Sequence, residues 1–197
     1  KRIAFAMHGS IWHVPAEGGE AIQITSTEHF DSEPDWSPDG SRIVFARDDG
    51  HSIEIWSVST DGNDPRQLTA TGGLNINPHW SPNGSEVLYT ASSTKGELFG
   101  IWTVQADTLE VRALLVDGYQ NITASWSPDG KQAVFVSNRP FNGKPIVGTG
   151  GIWQIEPGKP PNLLLQEETH WQARPAWSPN GAKIAYSSYR TGHNELW

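Results

Sequence analysis

The sequence predicts an all-β fold, a β-propeller built of four-stranded antiparallel blades. Three observations carry that prediction: a tryptophan-centred repeat, short period-two apolar runs bounded by Gly, Pro, Asn and Asp, and no helical periodicity sustained over three turns. The chain has 197 residues, with 10 tryptophans and no cysteine. Nine of the ten tryptophans fall in phase with the repeat.

Four tryptophans share one frame: Trp36-Ser-Pro-Asp, Trp80-Ser-Pro-Asn, Trp126-Ser-Pro-Asp and Trp177-Ser-Pro-Asn, each followed by glycine (Gly40, Gly84, Gly130, Gly181). The spacings are 44, 46 and 51 residues. Five more follow an aliphatic residue: Ile11-Trp12, Ile55-Trp56, Ile101-Trp102, Ile152-Trp153 and Leu196-Trp197. Pro-Asx-Gly places a proline where a tight turn wants its fixed φ, then a glycine tolerant of positive φ, so each frame predicts a hairpin. A β-branched strand follows each turn, as in Arg42-Ile-Val-Phe-Ala46 or Glu86-Val-Leu-Tyr-Thr90, then a polar loop and the Ile-Trp strand. A second turn, Thr60-Asp-Gly-Asn63 in one copy, leads to a fourth strand such as Arg66-Gln-Leu-Thr69. Four short strands every 40 to 50 residues describe a propeller blade.

In chain order this predicts a partial first blade over 1–25, complete blades over 34–69, 78–116 and 124–166, and a partial fifth over 175–197. The whole chain reads as one propeller domain or part of one. The first blade opens at its second strand and the last stops at its third, so closure would duplicate two strands. The expectation is an incomplete portion of a six- or seven-bladed ring. The chain also begins at Lys1 rather than methionine, which leaves room for a preceding segment.

Composition excludes several classes. Without cysteine there is no disulfide scaffold, thiolate zinc site or cysteine nucleophile. A formal net charge of −8 argues against nucleic-acid and anionic-membrane surfaces. No apolar run approaches the ~20 residues needed to span a bilayer, and no membrane insertion is expected.

The stretch Pro34-Asp-Trp-Ser-Pro-Asp-Gly-Ser-Arg-Ile-Val-Phe45, with Gln67-Leu-Thr69 closing the blade, resembles the TolB-like WD-like repeat family. The resemblance covers essentially the whole chain and is specific for fold, much less so for function. The family includes periplasmic proteins, propellers attached to prolyl-oligopeptidase-like and tricorn-like peptidases, and propellers fused to amidohydrolases. The first repeat, from Ile3 to Gly19 with Ile24-Thr25 and Phe30-Asp-Ser-Glu-Pro34, looks most like the opening blade of the amidohydrolase fusions. The resemblance implies a bacterial periplasmic or secreted location.

The segments entering the innermost strands gather, in a propeller, at one mouth of the channel. They read Asp31-Ser-Glu-Pro-Asp35, Asn75-Ile-Asn-Pro-His79, Asn121-Ile-Thr-Ala-Ser125 and Gln172-Ala-Arg-Pro-Ala176. Their first position is always an amide or carboxylate, suited to holding the turn backbone. Their third position differs in every blade: Glu33, Asn77, Thr123, Arg174. Variation on a uniform framework is what a recognition surface needs. These four, with Asp35 and His79, form the candidate binding site. Trp171 lies outside both tryptophan series and is a candidate for stacking on a ligand, although it aligns with Phe30, Leu74 and Gln120, a mostly apolar position that reads as a packing staple. Asp31, Glu33 and Asp35 alternate and could begin a Ca²⁺ site, but no further ligand-bearing loop follows. The favoured reading is a solvated acidic rim, with no cofactor.

No catalytic constellation stands out. The seven histidines form neither a His-x-His pair nor a His-Glu-x-x-His helix, and there is no Gly-x-Ser-x-Gly elbow or phosphate-binding loop. Whether the chain is part of an enzyme stays open at this level. Two functional expectations follow. The first is a non-catalytic scaffold that binds a protein segment or small ligand at the channel mouth. The alternative is the accessory propeller of a hydrolase, amidohydrolase first and peptidase second, whose catalytic domain lies outside these residues.

Overall fold

The Ser-Pro-Asx-Gly sequence folds identically in all four copies in the computed structural model, which describes residues 1–26, 28–92, 98–140, 150–169 and 173–197. In the first copy the Gly40 N–H donates to the Ser37 carbonyl at 2.9 Å, and Gly40 has φ 70°. The Ser37 hydroxyl donates to Asp39 at 2.6 Å and accepts from the Arg42 N–H at 2.9 Å, while Asp39 accepts from the Ser41 N–H at 3.0 Å. Ser81 with Asn83, Ser127 with Asp129 and Ser178 with Asn180 repeat this relay. Serine thus satisfies the strand's first amide, and Asx satisfies the turn's own, so no backbone donor is stranded in the hairpin.

Between these turns the apolar runs pair as antiparallel strands. Strands β1 (Arg2–Met7), β2 (Ser10–Pro15) and β3 (Ile22–Gln23) form a three-stranded sheet. Strands β4 (Phe30–Trp36), β5 (Arg42–Asp48), β6 (Ile53–Ser59) and β7 (Arg66–Gln67) form a four-stranded sheet in sequential order. Strands β8 (Asn75–Trp80), β9 (Glu86–Ser92), β10 (Phe99–Gln105) and β11 (Val111–Leu115) do the same, as do β12 (Asn121–Trp126), β13 (Ala133–Ser137), β14 (Gly150–Ile155) and β15 (Asn162–Thr169). The last pairs are β16 (Ala176–Trp177) with β17 (Ile184–Ala185), and β18 (Ser187–Ser188) with β19 (Glu195–Leu196). These are propeller blades. No helix among the described residues is long and apolar enough to cross a membrane.

The chain divides into two compact units, Lys1–Val87 with Val104–Val111, and Leu88–Thr103 with Arg112–Trp197. In the first unit Ile11, Ile24, Ile43, Phe45 and Val58 form a buried cluster with Trp36 and Trp56 packed against it. Ile11 and Ile24 belong to one blade and the other residues to the next, so Trp36 wedges between blades. In the second unit Trp126 is buried with Leu88, Ile101 and Leu115 of the preceding blade and with Phe135 of its own. The isoleucine of each Ile-Trp pair faces inward: Ile11, Ile55 and Ile101 are fully buried. Aromatic wedges of this size contribute both area and shape to a blade interface.

The Gln-x-Thr blade ending also has a structural reason. Thr69 Oγ1 accepts from the Ile55 N–H at 2.9 Å, and Thr25 Oγ1 accepts from the Ile11 N–H at the same distance. Gln67 and Gln23 reach over to the carbonyls of Thr69 and Thr25. The threonine side chain therefore continues the strand ladder after the backbone has turned away.

Candidate functional site

The entry segments make up most of β4, β8 and β12, and in β4 and β12 they carry a bulge. In β4 the register shifts between Ser32 and Asp35, and in β12 between Ile122 and Ser125. The residue at the third position has a left-handed backbone in every copy: Glu33 φ 55°, Asn77 φ 52°, Thr123 φ 52° and Arg174 φ 43°. Asparagine tolerates this region, whereas a β-branched threonine is strained there by about 1–2 kcal/mol. A position that differs in every blade thus has one backbone conformation. Bulges of this kind re-aim a side chain out of the ladder.

What those side chains do differs. In the first unit, Glu33 accepts from the Asn77 N–H at 2.7 Å and from Asn77 Nδ2 at 2.6 Å. Asp35 accepts from the Trp80 N–H at 2.8 Å, with His79 Nε2 4.0 Å from the same carboxylate oxygen. His79 Nδ1 lies 3.1 Å from the Trp80 carbonyl. Glu33, Asn77, Asp35 and His79 are half-buried and come together as one polar seam between two blades. In the second unit, the Thr123 N–H donates to Thr90 Oγ1 at 3.1 Å, and Thr123 Oγ1 is buried with no hydrogen-bond partner. Arg174 is exposed. Trp171, with His170 and Gln172, lies outside the described residues, as does most of the long loop before β14.

The first positions are structural anchors. Asp31 is fully buried and meets Arg47 in a two-pronged ion pair at 2.7 and 2.8 Å. The Arg47 guanidinium in turn lies 4.8 Å over the Trp56 ring, so Arg47 ties the entry strand to the Ile-Trp strand. Asn75 uses Nδ2 on the Ile53 carbonyl, Glu54 and Thr71. The buried Glu54 carboxylate also accepts from Thr69 Oγ1 and the Thr71 and Gly72 N–H groups. Asn121 donates to Asp117 and the Tyr119 carbonyl, and Arg139 pairs with Asp117 over the Trp153 ring. Sequence reasoning missed Arg47, Glu54 and Arg139. Arg47 and Glu54 lie on strands other than the one they support and Arg139 just after β13, and only Arg47 carried a signal, being a charge directly after a fully apolar run.

Asp31, Glu33 and Asp35 therefore do not form a solvated rim. They face Arg47, Asn77 and Trp80 respectively, three separate partners. Among the described residues no group of three or more His, Asp or Glu side chains is placed to hold a metal ion.

Of the position read as a packing staple, Phe30 and Leu74 are exposed and Gln120 is half-buried. Phe30 retains 59% of its surface and Leu74 44%. An ion-paired, bulged framework thus carries apolar side chains outward at its entry end. Residues 1–142 match the family model of the tricorn protease N-terminal beta propeller domain.

The chain belongs to that family.

No curated protein matches this tricorn-type propeller sequence. Among solved structures it is similar to TolB from Acinetobacter baumannii, with TM-score 0.82 and 23% identity over 99% of this chain and 49% of that one. It is also similar to a putative TolB from Agrobacterium tumefaciens, with TM-score 0.80 and 21% identity over 96% of this chain and 66% of that one. A puromycin-hydrolyzing peptidase from Mycobacterium tuberculosis superposes with TM-score 0.70 and 13% identity, over 94% of this chain and 32% of the peptidase. The tricorn-type chain spans about half to two thirds of the TolB chains. At these identities the likeness is one of fold: a TolB-like propeller, of a kind also present in peptidases.

Proposed function

We propose that this propeller is a binding scaffold that holds a protein segment at its entry end, in a bacterial periplasmic or secreted setting. The single observation that carries this reading is the left-handed backbone repeated at Glu33, Asn77, Thr123 and Arg174. A common left-handed backbone bearing four different side chains separates framework from recognition, which is how a repeat protein varies specificity without altering its fold. The resemblance of the repeat to TolB-like propellers, a family that includes periplasmic proteins, supports the setting.

A photo-crosslinking amino acid placed at Arg174 and, separately, at His79 tests the proposal in cells. A discrete protein adduct from these positions, and none from a control at Leu109 in the turn after β10, is expected. Equal labelling at Leu109, or no adduct at either entry position, refutes it.

The family match to a protease propeller favours a second reading, an accessory propeller that docks or gates substrate for a hydrolase domain. A His-x-His pair or a Gly-x-Ser-x-Gly elbow encoded in the same gene would support it; the first points to an amidohydrolase and the second to a peptidase.

A further inference from the structure

We infer that the entry edge of the blade formed by β4 to β7 is a docking strip for an extended, basic peptide segment with apolar side chains; the inference rests on the scaffold reading above and names the partner's chemistry. The strip is continuous in the strand register. Phe30 pairs with Asp48, Asp48 with Ile53, and Ile53 bridges to Leu74. On its far side Phe30 packs over Gly9, where a Cβ would come within 3.1 Å of the ring, and Met7 lies on the strand leading to that turn. Phe30 and Leu74 are 59% and 44% exposed, so two large apolar side chains stand in solvent on this blade edge, and Met7 on the neighbouring sheet is 40% exposed. Nothing in the folding of the blade requires this, since its core closes beneath them around Phe45 and Ile55. Clustered exposed apolar groups of this kind mark interaction surfaces.

Charge selects among occupants. Asp48 sits in register with Phe30 and Ile53 on this edge, with Asp49 directly after it, and Asp49 is held ionised below the usual carboxylate range by the N–H groups of Ser52 and His51. Asp48 is fixed by the Gly50 N–H at 2.8 Å. Arg47, the one Lys or Arg in β4, β5 or the turn after it besides Arg42 at the opposite end, is buried against Asp31. The ring nitrogens of His29 and His51 add positive charge only when protonated. An apolar strip edged by fixed carboxylates fits Lys or Arg alternating with Leu or Phe, and repels an acidic segment. A second copy of this chain, whose formal charge is −8, is disfavoured on the same ground.

The test uses a fluorescein-labelled peptide of alternating Lys-Phe-Lys-Leu, a matched peptide with Glu for every Lys, and a third with Ser for every apolar residue. Binding is read by anisotropy and mapped by amide chemical shifts. The Lys-Phe peptide should bind and shift the amides of Met7, Phe30, Asp48 and Leu74. Phe30→Ser with Leu74→Ser should weaken it about tenfold or more, and Asp48→Asn with Asp49→Asn should reduce its salt dependence. The two control peptides should not bind. Binding unchanged by Phe30→Ser with Leu74→Ser, or equal binding of the Glu peptide, overturns the docking strip. If binding is instead lost with Arg174→Ala, the scaffold reading stands and the strip does not; if no peptide binds and the crosslinks at Arg174 and His79 are also absent, both fail. Sedimentation that shows a dimer abolished by the Phe30 and Leu74 substitutions makes the occupant a second copy and likewise overturns the proposal.

Discussion

The carboxylate of Glu33 receives both the backbone and the side-chain N–H of Asn77, at 2.7 and 2.6 Å, across the junction of two blades. Both residues occupy the same left-handed position of their own strands. One repeat position therefore does two things in neighbouring blades: it offers an acceptor in the first and a donor in the second. Asp35 and Trp80 make a second tie of the same sense at 2.8 Å.

Removing the acceptor should loosen this junction without unfolding the chain. Glu33→Ala is expected to cost about 1–2 kcal/mol, discounted from a fully buried charged bond because Glu33 is only half-buried, and Glu33→Gln less. Asn77→Gly keeps the backbone conformation and deletes the side-chain donor. A double-mutant cycle in urea should give a coupling of about 0.5–1 kcal/mol between them, and strict additivity contradicts the tie.

Thr123 is held at φ 52° with its hydroxyl buried and unbonded. Neither feature stabilises the fold, so Thr123→Asn should raise stability by about 1 kcal/mol, by relieving a β-branched residue from the left-handed region. Thr123→Val, of nearly the same shape without the hydroxyl, should leave the strain in place. The urea midpoints of the two variants separate backbone strain from hydroxyl burial. If the asparagine variant is less stable, the hydroxyl serves a purpose.

Acid should destabilise the protein in two steps. His13 is buried beside Trp36, with ring centroids 6.0 Å apart, and burial followed by the nearby Arg2 charge lowers its pKa from 6.5. The unfolded chain binds that proton more readily, so stability is full above about pH 6.5 and falls as pH drops below it. Asp39 and Asp61 are each lowered to about 2, first by the hydroxyls of Ser37 and Ser59, so their contribution is full above about pH 4 and is lost as pH approaches 2. Melting temperature against pH should lose its upper slope in His13→Leu and flatten at the lower end in Asp39→Asn with Asp61→Asn. Asn83 and Asn180 already fill the Asx role without titrating.

Much of the fold is legible in sequence because the repeat encodes it locally. Ser37, Pro38, Asp39 and Gly40 satisfy one another within a single turn, and so do their counterparts in the other copies. The tryptophan wedges are legible for the same reason, since a residue recurring in phase must meet the same neighbour in each blade. The candidate site is less so. The variable third position is visible as variation, but its left-handed backbone is not, because Glu, Thr and Arg do not announce a positive φ as glycine does. The first position reads as a turn anchor. Asp31 instead bonds Arg47 on the adjacent strand, and that pairing depends on register.

The sequence by itself determined the blade: strand order, turn chemistry and the phase of nine tryptophans follow from interactions a few residues apart, or from period-two burial. Only the tertiary structure decided how the carboxylates are used and which apolar residues stay outside. Whether Glu33 meets solvent or Asn77, and whether Phe30 is a staple or an exposed ring, depends on how blades meet. That is a contact over about 45 residues of chain, and no local preference encodes it.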